Sequence, residues 1–362
     1  MQNKQLSNWL KLSFSYGVGS ATFLKLVQHY GSVDAVLKQD LFGLMRVVSK
    51  GVAQSILSDN SLTQVEPALA WQAQAPNVRT LLTLESPEYP IELEEITQPP
   101  LVLFFEENIK ILKNPKVAIV GTRHPSTQGI ENAHSFAKEL ASSGLTVVSG
   151  LAAGIDRCAH EGALLASNGA STIAVIGTGM DLVYPASNRE LYRKIREQGL
   201  VISEFPLGTP PTNNNFPRRN RIVVGLSRAC LVIESAIDGG SMISANFALE
   251  MGREVMAIPG SIHNPMARGC HKLIKQGAKL CETTNDILDE LKLSEKRLIN
   301  NVIIEETNDP ILLAMGYEPQ TIDVLCAKLN LDFGELCGKL LEFELSGMVV
   351  NCGGGRYQRV FK

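Results

Sequence analysis

Between residues 110 and 292 the chain alternates short apolar runs with stretches of helical periodicity, and few architectures satisfy that alternation. The runs are Val117–Val120, Thr146–Val148, Thr172–Ile176, Val201–Ser203, Ala229–Ile233 and Val255–Ile258. Each is short and continuously apolar, so it must be covered on both faces, which is the condition of a strand inside a parallel sheet. Helical stretches such as Glu131–Ser142, Ile155–Ala166 and Ser241–Met251 lie between them. Parallel neighbours need crossovers of that size. The pattern predicts an α/β domain with an extended Rossmann-like, doubly wound parallel sheet.

The flanks read differently. Residues 1–75 are helical in pattern. Leu6, Trp9, Leu10, Leu12 and Phe14 open an apolar face, Gly17-Val18-Gly19 breaks it, and Phe23, Leu24, Leu26 and Val27 resume it. A helix, a Gly-x-Gly hairpin and a second helix resemble a helix-hairpin-helix or SAM-like module, and such a hairpin can hold a DNA phosphate on backbone N–H groups. A plain glycine-capped turn fits the same residues. Residues 76–292 form the predicted Rossmann-like domain, opening on a proline-bearing linker with edge strands at Leu81–Leu84 and Leu101–Phe105. A polar linker is expected at 293–308. Residues 309–362 pattern as a winged helix: helices at Ile311–Met315, Ile322–Lys328 and Phe333–Leu345, then a hairpin of Met348–Val350 and Tyr357–Phe361 around Gly353-Gly354-Gly355.

Charge narrows the function classes. The chain of 362 residues carries 34 Lys and Arg against 37 Asp and Glu, a net of −3. That excludes a generally basic nucleic-acid protein but permits a basic patch on an acidic body. No apolar run reaches the roughly 18 residues of a membrane helix, and the first residues lead into no signal-peptide core. The seven cysteines form no Cys-x-x-Cys pair and no cluster with the six histidines. They read as small hydrophobes in a reducing compartment, with no metal site and no disulfide. A cytoplasmic protein with no membrane partner is expected.

The loops that follow the predicted strands carry the chemistry. The first strand ends in Gly121-Thr122-Arg123, without the Gly-x-Gly-x-x-Gly of a dinucleotide fold, and no Walker A sequence occurs anywhere. No cofactor is therefore expected. The second strand ends in Ser149-Gly150-Leu151-Ala152-Ala153-Gly154-Ile155-Asp156, whose small residues let backbone approach an anion at a helix start. Ser149 and Asp156 have the residue types of a nucleophile and a base, but no His is spaced to complete a triad. Gly177-Thr178-Gly179 follows the third strand, and Gly239-Gly240-Ser241 opens a later helix. Gathered on one sheet edge, these loops predict a phosphate-rich ligand.

A basic segment selects among such ligands. From Arg189 to Arg228 there are eight basic residues, Arg189, Arg193, Lys194, Arg196, Arg218, Arg219, Arg221 and Arg228, against three acidic ones, a local net of +5. Asn213 to Arg221 packs arginine, asparagine and one aromatic into nine residues. Arginine forks grip phosphates, asparagine bonds bases or phosphates, and Phe216 suits stacking on a base. A salt-bridged arginine cluster with an architectural role is the alternative.

At these residues the chain resembles the DNA-processing protein A (DprA, or Smf) family. The ordered elements are Gly121-Thr122-Arg123, Ser149 to Asp156, Gly177-Thr178-Gly179, Tyr184-Pro185, Ile202-Ser203-Glu204, Phe216-Pro217-Arg218-Arg219-Asn220-Arg221-Ile222, Gly225-Leu226-Ser227, Gly240-Ser241, Ala257-Ile258-Pro259-Gly260 and Gly277-Ala278. The resemblance implies a homodimer that binds and protects single-stranded DNA in natural transformation and loads the RecA recombinase onto it, without catalysis. It implies a DNA-binding set of Gly121, Thr122, Arg123, Ser149, Gly150, Gly154, Arg189, Arg193, Phe216, Arg218, Arg219, Asn220, Arg221, Gly240 and Ser241.

The match has departures. Gly269-Cys270-His271-Lys272-Leu273-Ile274 puts His271 where the family usually has Asn, and Thr178 stands where family members often carry Cys or another small residue. In the expected recognition helix of the winged domain, Glu335, Glu342 and Glu344 face a single base, Lys339. A duplex groove would repel that helix, so the module reads as a protein-contact or dimer-supporting element. Two other classes remain in view. A phosphoribohydrolase-like nucleotide-cleaving enzyme would need Pro-Gly-Gly-x-Gly-Thr, and Gly239-Gly240-Ser241-Met242 lacks the Pro and the Gly-Thr. A winged-helix transcription regulator would need a basic recognition helix.

Overall fold

The computed structural model describes residues 2–166, 171–293, 309–316 and 318–359. The N-terminal part is helical throughout: α1 (Gln2–Ser13), α2 (Ser20–Tyr30), α3 (Val33–Leu37), α4 (Leu41–Leu44), α5 (Lys50–Leu57) and α6 (Leu62–Gln74). The apolar stripe read from the sequence is its core, with Trp9, Leu10, Leu12, Phe23 and Leu26 buried.

The central domain is built on nine strands. They are β1 (Arg79–Thr83), β2 (Val102–Glu107), β3 (Lys116–Val120), β4 (Thr146–Ser149), β5 (Thr172–Val175), β6 (Leu200–Ser203), β7 (Ala229–Val232), β8 (Glu254–Ala257) and β9 (Lys279–Leu280). Their order is β1-β2-β6-β5-β4-β3-β7-β8-β9. From β6 to β9 all neighbours are parallel, with Val117 opposite Val147 and Ala118 opposite Cys230; β1 and β2 add antiparallel at one end. Leu101–Phe105, expected to supply an edge strand, gives β2, an interior strand between β1 and β6. β9, only two residues long, has too short an apolar run to show in the sequence.

Helices cover both faces: α7 (Ile91–Glu94), α8 (Thr127–Ser142), α9 (Ile155–Ala163), α10 (Arg189–Gln198), α11 (Asn215–Gly225), α12 (Gly240–Glu250), α13 (Arg268–Lys275) and α14 (Thr284–Glu290). Alternate strand residues serve the two layers. Val117, Ile119 and Val147 pack with Phe136 and Leu140 of α8 and Ala159 of α9, while Ala118, Val148 and Ile173 pack with Val223 of α11 and Ala245 of α12. The chain runs out from β3 through β4 and β5 to β6, crosses under the sheet as α11, and returns to β7 beside β3. The strand order therefore reverses between β3 and β7, the point where open α/β sheets receive ligands. α8 starts at Thr127, four residues before the sequence reading placed it, because the Ser126 side chain accepts from Gly129 N and caps a first turn that has almost no apolar residues.

The helical part shares a core with the sheet. Leu81, Val102, Phe104, Ala174 and Val201 belong to the same buried cluster as Trp9, Phe23 and Trp71. The Trp9 indole N–H donates to Leu101 O at 2.8 Å.

The C-terminal part has α15 (Pro310–Met315), α16 (Ile322–Leu329) and α17 (Phe333–Leu345). Its small sheet of β10 (Gln320–Thr321), β11 (Val349–Asn351) and β12 (Arg356–Arg359) runs in the order β10-β12-β11. Leu312, Leu325, Leu336, Leu340 and Val349 form its core. This is a winged helix. Most of the expected polar linker, from residue 294 on, and Val360 and Phe361 of the expected hairpin lie outside the described residues. Among the described residues no helix is long and apolar enough to cross a membrane.

Candidate nucleic-acid interface

The loops after β3, β4 and β5 and the start of α11 meet at the carboxyl edge of the sheet. The first two are pressed together. Gly154 has φ +81°, and a Cβ on it would lie 2.4 Å from Thr122 O, so only glycine allows the contact. Ile155 N donates to Thr122 O at 3.1 Å. From the other side Glu234, just after β7, fixes the Arg123 loop: its backbone O accepts from Thr122 N at 2.8 Å, and its carboxylate accepts from Ser126 N and Oγ at 2.9 and 2.6 Å.

Beneath the second loop lies a buried ionic centre. Asp156, in the first turn of α9, accepts from Ala152 N at 3.4 Å and from Gly150 N. Burial raises its carboxyl above the ordinary carboxylate range, and the neighbouring Arg219 guanidinium opposes that. Arg219 is itself buried. Its Nη1 donates to Gly150 O and Val175 O, and its Nε to Asn220 Oδ1 at 3.2 Å. Burial pulls Arg219 down to about 10, partly offset by Asp156. It stays a cation at neutral pH, tying β5 to the glycine loop. Asn188 Nδ2 adds bonds to Leu151 O and Ala152 O at 3.0 and 3.3 Å. The Ser149 hydroxyl donates to Ile119 O at 2.7 Å and is spent inside the sheet.

Above this centre an aromatic pair and a free arginine face outward. The Phe216 and Tyr184 rings are 5.5 Å apart at 32°, and the Arg123 guanidinium stands over Phe216 at 5.4 Å from the ring centre. A Cβ on Gly177 would reach Phe216 Cδ1 at 3.0 Å, so the loop after β5 is the floor under the ring. Arg123 is exposed. Phe216 and Asn220 are half-buried on α11.

The structure thus brings Gly121, Thr122, Arg123, Gly150, Gly154, Phe216, Arg219 and Asn220 together, with Arg219 as a strut beneath and Arg123 as the exposed cation. Arg189 is exposed at the start of α10, directly after Asn188. Other residues of the expected set are committed elsewhere. Arg193 pairs with both Glu190 and Glu197 on its own helix. Arg218 and Arg221 turn to Glu204 after β6, and Arg221 is buried there. Ser241 is buried and donates to Ser235 Oγ at 2.8 Å, leaving Gly240 exposed at the start of α12. His271, at the family's Asn position, lies 3.0 Å from Gly260 O.

Some of the cluster escaped the sequence reading. Tyr184 was visible as half of a Tyr-Pro pair, but nothing local announced that it meets an aromatic 32 residues later. Glu234 and Asn188 act only through tertiary contacts. The reading also expected no His–Cys cluster, whereas His134, Cys158 and Glu161 bring ligand atoms within 4.8 Å of one another where α8 meets α9. Burial pushes the Cys158 thiol up to about 11, so the metal-binding thiolate is disfavoured, and Glu161 is engaged with Arg157 and His134.

Together the doubly wound sheet, the N-terminal helical part and the winged helix define a three-part protein of the mixed α/β class with an arginine-and-aromatic cluster at its sheet edge. The family described as DNA recombination-mediator protein A matches residues 80–292, a DprA winged helix domain matches 304–355, and a DprA-like N-terminal HHH domain matches 3–41. The chain belongs to the DNA recombination-mediator protein A family, whose members are DNA-processing proteins. It is 38% identical over 361 residues to Protein Smf of Escherichia coli, covering 96% of this chain and 94% of that one. It is 34% identical over 402 residues to Protein Smf of a Synechocystis strain, covering 99% and 100%. Among solved structures, DNA processing protein A from Streptococcus pneumoniae aligns with a TM-score of 0.68 at 37% identity, covering 78% of this chain and 97% of that one. DNA processing protein A from Helicobacter pylori, whose structure was determined for its single-stranded DNA binding mode, aligns at 0.54 and 29%, covering 59% and 97%.

Proposed function

We propose that this protein binds single-stranded DNA along the carboxyl edge of its sheet, protects it, and delivers it to the RecA recombinase as a homodimer in the cytoplasm. The observation that carries the DNA reading is the Arg123–Phe216–Tyr184 arrangement over a floor of glycine loops. It offers a cation to a phosphate and aromatic faces to a base, the two elements of sequence-tolerant single-strand binding. The single-stranded DNA binding named for the Helicobacter pylori relative supports the same ligand. RecA delivery rests on the family resemblance.

The reading is non-enzymatic, and the candidate groups fit that. Ser149, Asp156 and His160 are buried and hydrogen-bonded within the fold. Ser241, at the glycine turn where a phosphoribohydrolase would place its reactive segment, is bonded to Ser235. The winged helix supports a protein-contact role through its acidic α17.

The test is binding of a labelled dT oligomer and a matched duplex across a salt series. The expected result is preference for the single strand, with a log–log salt slope of about −0.7 per phosphate contacted. Equal binding of both forms, or of neither, overturns the proposal. RecA filament formation on coated single strands, with and without the protein, tests the delivery step.

A further inference from the structure

Two large aliphatic side chains stand exposed where β7 and β8 end on the carboxyl edge of the sheet. Ile237 is 51% exposed and Ile262 is 74% exposed. β7 and β8 are neighbours, with Val232 opposite Ala257, so the loops that carry the two residues lie side by side. A single exposed aliphatic is ordinary on a protein surface. This pair differs in being held out by the structure around it.

Ile262 sits at the tip of a tight turn. Asn264 N donates to Ser261 O at 3.0 Å, which makes Ile262 and His263 the central residues, and both are exposed. Both feet of the turn are planted. His271 Nε2 lies 3.0 Å from Gly260 O on one side. On the other, Asn264 Nδ2 donates to Glu234 Oε1 at 3.2 Å and Ser235 N donates to Met266 O at 2.6 Å. Gly269 presses on the same place, where a Cβ would lie 2.6 Å from Ser235 O. The Ile237 loop is closed by Gly239 N and Ser235 Oγ, which both donate to Ala236 O, at 3.1 and 2.8 Å.

Glu234 links this turn to the interface described above. The carboxylate that accepts from Asn264 also accepts from Ser126, and its backbone O accepts from Thr122 N. One residue thus ties the turn to the loop that carries Arg123. Arg268, the first residue of α13, is exposed and makes no ion pair among the described residues. Asp238 is exposed beside Ile237 and repels a phosphate, so a nucleic-acid backbone is favoured on the Arg268 side. We infer that the Ser261–Asn264 turn is a second base-contact surface of the strand path, where Ile262 packs against a base beyond the Phe216 platform and Arg268 meets a phosphate beside it. Apolar side chains set against unstacked bases are an established means of holding a nucleic acid. This rests on the single-strand reading and carries the strand from the Arg123 loop toward β8.

Ile262 and Arg268 are both exposed, so their substitution tests contact without disturbing the core. Wild type, Ile262→Ala, Ile262→Phe and Arg268→Ala are titrated with short and long dT oligomers across a salt series. Phe42→Ala, at a residue 77% exposed on α4, is the control for loss of an exposed apolar side chain. The expected result is that Ile262→Ala weakens the long oligomer about fivefold at unchanged salt slope, and that Ile262→Phe binds at least as tightly as wild type. Arg268→Ala should flatten the slope by about 0.7. The short oligomer, which ends before the turn, and the Phe42→Ala protein should behave as wild type. Long-oligomer binding unaltered in either Ile262→Ala or Arg268→Ala overturns the inference. Self-association without DNA, read by sedimentation, should be the same in all five proteins. Its loss in Ile262→Ala assigns the turn to a contact between copies of the chain and overturns the strand assignment. Wild type that binds neither oligomer sinks the single-strand reading itself, a result distinct from wild-type binding that the substitutions leave unchanged.

Discussion

The Arg123 guanidinium lies 5.4 Å from the centre of the Phe216 ring, joining the loop after β3 to the start of α11. The cation is thereby held beside an aromatic face, and a strand passing there meets charge and stacking surface at once. The two residues should act as a unit. Phe216→Ala is expected to weaken binding of a dT oligomer by ~1–3 kcal/mol, the worth of one stacked base, with little change in salt slope. Arg123→Ala should instead flatten the slope by about 0.7. Fluorescence anisotropy of both single variants and the double variant across salt measures this; strict additivity would show that the contact does not couple them.

Arg219 behaves differently, because it lies beneath the site and not in it. It is buried against Asp156 and bonded to Gly150 O and Val175 O. Arg219→Ala would leave Asp156 buried without its counter-charge, at a cost of ~3–5 kcal/mol. Lysine has neither the fork nor the reach to bond both carbonyls, so Arg219→Lys should restore little. Urea denaturation is the measure. An Arg219→Ala protein of wild-type stability that has lost DNA binding would make Arg219 a direct contact.

That division between Arg123 and Arg219 marks the limit of what the sequence displayed. The strands were legible because each is a short run buried on both faces, and the loops because Gly121, Gly150, Gly154 and Gly177 punctuate their ends. The family motif placed Arg218, Arg219 and Arg221 in one run. Helical spacing then turns them to different surroundings: Arg219 under the glycine loop, Arg218 and Arg221 toward Glu204. Which cation faces solvent is settled by contacts with residues 14 or more positions away, and residue type carries no sign of that. Arg193 illustrates the same point in reverse, since Glu190 and Glu197 were visible at i−3 and i+4 and do claim it.

Gly154 offers a test of how the Arg123 loop is held. Its φ of +81° is strained for any residue with a Cβ, and that Cβ would strike Thr122 O and the backbone of Arg123. Gly154→Ala should cost ~1–3 kcal/mol in stability and displace Arg123 from Phe216. Thermal melting and dT binding together check it: both should fall, whereas Gly240→Ala, with open space around its Cβ, should change melting little. Unchanged binding in a folded Gly154→Ala protein would show that the loop contact does not position Arg123.

His160 gives the pH dependence its sign. Thr172 Oγ1 donates to Val147 O at 2.8 Å and so accepts from His160 Nδ1 at 2.7 Å. The other ring nitrogen, Nε2, accepts from Leu151 N at 3.3 Å. The fold therefore requires the neutral ring with its proton on Nδ1, because a second proton would face the Leu151 N–H. Burial first, and the Arg219 charge second, lower His160 from 6.5 to about 3. Below pH 6.5 the unfolded chain takes up a proton that the folded chain refuses, so stability is lost as pH falls. The loss is about 1.4 kcal/mol per unit once the unfolded histidine is fully protonated, and it continues toward pH 3. The raised carboxyl of Asp156 acts in the opposite sense, since its protonated form is favoured by the fold, so the wild-type curve alone mixes the two. His160→Gln removes only the histidine contribution. Its stability should be lower at pH 7.5, where a hydrogen-bonded ring has been lost, and should fall less steeply than wild type between pH 6.5 and pH 5. Equal slopes in urea denaturation over that interval would mean that His160 is protonated in the folded protein.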